Sequence, residues 1–236
     1  MISYSEKDYK QTKRIMLNQE VMNSDFRPLA DYIDRTFGVR TVNIVYDTID
    51  NGTRPRIGIY FEYSQEKQSF NENNGLGNFD DKKQKLIANK FKQTILEQGL
   101  IKKKSLFNSL PNIEESKYKT DNIWVYYSAF EPIAKDEANN EVPQDKALRL
   151  KSELNCNDLW EISRCFSVTT FFLYTDQQVK QYENSEMRKI WADKYFDLLE
   201  PYNVFGYFKR DQFNIYLDSK ENFDNNYESN WYYYNK

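Results

Sequence analysis

The chain has 236 residues, room for one large domain or two modules of about 100 to 120 residues each. A net charge of -3 gives no general attraction for nucleic acid, and no stretch approaches the roughly 20 apolar residues of a membrane helix. The absence of histidine removes Ser-His-Asp and Cys-His catalysis, the usual proton shuttle near neutral pH and the commonest zinc ligand.

Hydrophobic residues make up 39%, below the globular average, but 19 Tyr and 16 Phe supply large buried areas for a core. Residues 1–8 show neither a basic start nor an apolar h-region, so no secretory signal is expected. Cys156 and Cys165 lack a CxxC spacing and read as ordinary reduced thiols of a cytoplasmic protein. Charge divides unevenly along the chain. Residues 1–120 hold 20 Lys/Arg against 16 Asp/Glu, whereas residues 121–236 hold 13 against 20.

In chain order, residues 5–22 predict a first helix, with Ile15, Met16, Leu17 and Val21 apolar. Ser24 or Asp25 caps a second, with Pro28 in its first turn. Leu29, Tyr32, Ile33 and Phe37 form its apolar stripe, and Gly38 is the expected stop. A hairpin follows, from Val39–Thr48 through the Asn51-Gly52 turn to a strand at about Arg56–Tyr63. The loop Ser64–Phe79 contains Gly75-Leu76-Gly77, which lacks the third glycine of a dinucleotide fingerprint and the Lys-Ser/Thr of a phosphate loop. A helix over Asp80–Gln98, with Ile87, Phe91 and Ile95 inward (flanked by Leu86 and Leu96), ends near Lys102-Lys103-Lys104, read as solvated cations. Residues 105–121 look irregular around Pro111, and Ile123–Phe130 reads as a strand.

Glu131–Asp145 is the best linker candidate. Beyond it come a helix at about Gln144–Leu154, a short strand at Leu159–Arg164, and a strand at Cys165–Thr175 that is apolar on both faces and so central in a sheet or covered on both sides. A helix over Asp176–Leu199 carries Ile190, Trp191, Tyr195, Leu198 and Leu199. Val204–Lys209 and Phe213–Asp218 complete the expected strands.

These elements read as one pattern written twice. Residues 57–65 lie over 168–176, and 121–131 over 211–221, with matching residue types. The expected fold is therefore α+β: two tandem related α-β-β-α-β units with mainly antiparallel sheet, covered by helices. One unit occupies residues 1–133 and the other 144–236, joined by a linker at 133–144. The two are either separate or one pseudo-twofold domain.

Two aromatic groups are the candidate binding residues. Tyr60, Trp124 and Tyr126 share a strand face that either stacks bases or forms a second core layer under the N-terminal helices. Trp231, Tyr232 and Tyr233 open a terminal aromatic run that either folds back or meets a partner. No metal-ligand spacing and no cofactor motif is present. The expected function is a non-catalytic intracellular protein-binding module, of the inhibitor or immunity type, whose acidic second half meets a basic protein. No membrane or nucleic-acid partner is expected. The alternative is a magnesium-dependent nuclease or phosphoesterase using Asp218 and Lys220, with Asp47 or Glu62 as further carboxylates if both halves share one sheet.

Overall fold

The structure is a computed structural model that describes residues 3–72, 78–101 and 116–236. The Gly75-Leu76-Gly77 segment, the three lysines at 102–104 and Pro111 lie outside the described residues. The chain divides into two compact units, Met1–Glu131 and Pro132–Lys236.

The first unit begins with α1 (Lys7–Met16), a turn of 3-10 helix at Ser24–Phe26 and α2 (Arg27–Phe37). Then come β1 (Thr41–Ile49), β2 (Arg54–Phe61), α3 (Ser64–Gln68), α4 (Asp81–Glu97) and β3 (Trp124–Ala129). β1 pairs antiparallel with β2, and β2 pairs parallel with β3, in the order β1-β2-β3. A parallel neighbour requires a crossover, and α3 and α4 provide it. Ile57, Ile59 and Phe61 of β2, with Val125 and Tyr127 of β3, bury one face against Leu29 and Ile33 of α2 and Ile87, Phe91 and Ile95 of α4.

The same construction recurs in the second unit. Helices α5 (Phe130–Glu141) and α6 (Gln144–Glu153) precede β4 (Leu159–Cys165) and β5 (Val168–Leu173). Next are α7 (Asp176–Tyr182), α8 (Glu186–Leu199), β6 (Tyr216–Ser219), α9 (Lys220–Tyr227) and α10 (Trp231–Tyr234). The order is β4-β5-β6, again antiparallel then parallel. Both hairpins carry an irregularity in the first strand, between Thr41 and Asn43 and between Leu159 and Glu161. The fold is thus α+β, with two similar units, each a mixed three-stranded sheet. The halves do not share a sheet.

Register refines the sequence match. β2 meets β3 at Gly58 and Tyr126, and β5 meets β6 at Thr170 and Tyr216. With residues 121–131 laid over 211–221, Ile57 falls over Thr169 and not over Val168. One residue of slip exchanges the two faces of a strand, so matched lettering alone mislabels which side is core.

Elsewhere the structure departs from local pattern for identifiable reasons. α1 stops at Met16 because Asn18 adopts a left-handed φ of 56°, and Val21 beyond it is exposed. The expected linker is helical. There α5 places Asn139, 1% exposed, to donate to the carbonyls of Phe166 and Val168 and to accept from the hydroxyls of Thr169 and Tyr195. The helix expected over 176–199 is two, since the Ser185 hydroxyl accepts from Arg188 N and starts α8 anew. Leu86 and Ile190 are exposed, not core. The segment expected as a strand over 204–209 is a turn, closed by the Asn203 side chain bonding both N and O of Phe208.

Gly58 marks the closest approach in the first sheet. A Cβ at that position would overlap the ring of Tyr126 on the neighbouring strand. In the second unit the corresponding pair is Thr170 and Tyr216, and there the tyrosine is turned out to 61% exposure. Gly58→Ala is expected to lower stability by about 1–3 kcal/mol through overpacking against a ring that cannot leave its buried site. Asn139→Ala is expected to lower it by at least about 2 kcal/mol, because two hydroxyls and two carbonyls lose a partner. Chemical denaturation of each variant measures both.

Candidate interaction surfaces

The aromatic face of the first sheet is a core layer. Tyr60 is 0% and Tyr126 8% exposed, and they pack with Val42 and Val45 of β1. Helix α1 covers this face. Its Thr12 hydroxyl bonds the Asn43 amide at 3.0 Å, Met16 joins the cluster, and buried Tyr9 stacks on Phe130 at 5.2 Å. Tyr60 and Tyr126 therefore offer no surface for a nucleic-acid base. Trp124 is half-buried, stacked on Tyr126 at 5.6 Å with the Arg56 guanidinium 5.9 Å from its ring.

Charged groups rim this layer. Arg56 grips Asp47 with both Nε, at 2.7 Å, and a terminal nitrogen, and its guanidinium lies 5.1 Å from the Tyr126 ring. The Tyr126 hydroxyl donates to Asp8 Oδ2 at 3.3 Å. Burial pushes the Asp8 carboxyl above its ordinary value, and Asp47 and Glu6 add to the rise. The Tyr126 hydroxyl and Arg56 oppose it. Burial also pushes Tyr126 up to about 12 and raises Tyr60. Beside this rim, along β1, lies a cavity of about 580 Å³.

The C-terminal aromatic run divides between side chains packed on the second sheet and side chains turned outward. Helix α9 ends where Glu228 and Ser229 take left-handed φ, and the Asn230 side chain accepts from Tyr232 N to start α10. Residues three apart share a helix face, so Trp231 and Tyr234 turn inward together. Trp231 stacks on Trp160 at 6.1 Å and packs on Phe223 at 4.3 Å. Tyr234 meets Phe172 edge-on at 5.1 Å and donates to Asp218 at 2.7 Å. Tyr232 and Tyr233 point outward, 70% and 47% exposed. The i, i+3 pair was the available sequence signal for this division.

No metal centre assembles around Asp218. Its carboxylate accepts from the Asn222 amide and the Tyr234 hydroxyl, and Lys220 pairs with Asp224 over the Trp160 ring. Asp47 is held by Arg56, and Glu62 by Arg40 at 2.5 Å, both in the other sheet's unit. Among the described residues no group of three or more Asp, Glu, Cys or His is arranged to hold a metal ion. No described helix is long and apolar enough to cross a membrane.

These features define an α+β protein of two mixed three-stranded units, with a polar cavity along an edge strand of the first and an anchored aromatic helix on the second. Comparison with protein-family models, curated proteins and solved structures finds no match to the chain.

A group whose pKa is raised on folding holds its proton more readily in the folded state. For Asp8, stability therefore falls as pH rises from 3.8 through the raised value. Asp34 and Asp136 are raised by burial too and have the same sign. Asp8→Asn is expected to remove its part of the decline, so thermal midpoints of variant and wild type should diverge in the variant's favour as pH rises above 3.8.

Proposed function

We propose that the chain is a non-catalytic protein-binding module whose second unit meets a basic protein through Tyr232 and Tyr233. The observation that carries this reading is the division of the terminal aromatic run. Trp231, still 36% exposed, and Tyr234 pack against Trp160, Phe223 and Phe172, so the two outward tyrosines are held on a fixed helix before any partner arrives. Pre-ordered aromatic side chains lose little entropy on binding and dominate many interfaces. The excess of acids in residues 121–236 complements a basic partner and steers its approach. An inhibitor or immunity-type protein that neutralises a basic enzyme is the concrete form of this reading. Free, half-buried Cys156 and Cys165 support an intracellular setting for it.

The test is capture of the partner from the native host at low and high salt, followed by affinity measurement with purified components. Tyr232→Ser combined with Tyr233→Ser is expected to weaken binding by about 2 kcal/mol or more while leaving the thermal midpoint unchanged. Recovery of the chain alone at every salt concentration overturns the proposal, as does unaltered affinity of the double variant.

A further inference from the structure

β1 is an edge strand, with β2 as its partner on one side and the cavity of about 580 Å³ on the other. That cavity touches Ile44, Val45, Tyr46 and Asp47 in succession. Side chains of consecutive strand residues point to opposite faces: Ile44 and Tyr46 belong with one core layer, Val45 with the other. A cavity meeting all four runs beside the strand, along its backbone edge. Four residues span roughly 14 Å, enough for about four residues of another strand.

Edges are normally blunted with lysine or proline, or kept short. β1 is nine residues long, reads Thr-Val-Asn-Ile-Val-Tyr-Asp-Thr-Ile, and contains neither. Its irregularity falls between Thr41 and Asn43, before the stretch that faces the cavity. In the rest of the lining, carboxylates outnumber cations that are not already paired. Glu6 and Asp8 of the α1 end stand there with Lys7, and among the described residues neither carboxylate is in an ion pair. Arg56 is committed to Asp47.

The second unit supplies an independent comparison. A cavity of about 400 Å³ runs along Glu161 to Arg164 of β4, the corresponding edge strand. There the chain itself closes in. Trp231 and Asn235 line the cavity, and Arg164 bonds the carbonyls of Asn139 and Val142 and the Gln144 side chain.

We propose that the β1 edge of the first unit binds an extended, lysine- or arginine-bearing polypeptide segment by strand addition, its cation beside Asp8 and Glu6. This site is separate from the tyrosines of the second unit.

The probe is an acetylated, amidated octapeptide of alternating valine and lysine, followed by amide NMR of the intact chain. At about 1 mM peptide, the weak end of specific affinities, shifts are expected at Ile44–Asp47. The same peptide N-methylated at alternate residues along one edge cannot complete the ladder, and Asp8→Asn removes the counter-charge. Each change is expected to weaken binding about tenfold. Tyr232→Ser with Tyr233→Ser should leave octapeptide binding intact, which separates this site from the other surface. Absence of shifts at β1, or equal binding of the N-methylated peptide, overturns the proposal. Equal binding to the Asp8→Asn protein overturns its charge preference.

Discussion

A three-stranded sheet has a single interior strand, and in both units that strand is sealed from water on both faces. Tyr60 and Phe61 in β2, and Phe171, Phe172 and Leu173 in β5, are each fully buried. At about 1.5–3 kcal/mol for each large apolar side chain, these strands anchor the fold, and both sides of a small sheet must find a cover. The first cover is alike in the two units: helices before the hairpin and across the parallel crossover. The second cover is where the units part.

In the first unit α1 lies over the second face, and Tyr126 is folded down across Gly58, which leaves a polar rim of Asp8, Arg56 and Asp47 at the margin. In the second unit the cover comes from the C-terminal side. Phe223, Trp231 and Tyr234 close over Phe172 and Trp160, while Thr170 stands where the first unit has Gly58 and its neighbour Tyr216 points out into solvent. The surfaces available to partners are consequences of these two solutions. Among the described residues, the helix that covers the first face leaves the β1 edge without a second strand. The element that covers the second presents its spare tyrosines outward.

Polar groups drawn into these cores are placed with the same economy. Asn139 uses both amide hydrogens and its oxygen on four partners, tying α5 to the β4–β5 turn and to α8 through Tyr195. A buried amide so fully satisfied fixes a helix where composition alone suggests a linker. Asp218 and Lys220 bond locally, at the ends of α9 and α10.

The sequence by itself determined β1, β2 and β3, the Asn51-Gly52 turn, the stripe of α2 and the buried ridge of α4, since each is written in residues near one another along the chain. It also marked β5 as central or covered on both faces, and the strand order makes it central. The tertiary structure alone decided whether Tyr60 and Tyr126 meet solvent, because that depends on α1, whose Asp8 meets Tyr126 across 118 residues of chain. The one-residue offset between the units followed from pairing across strands, which lettering does not encode. The division of Trp231 to Tyr234 was decided by the site that Trp160, Phe172 and Phe223 together provide. Local periodicity states which residues share a face, and only long-range packing settles which faces are covered.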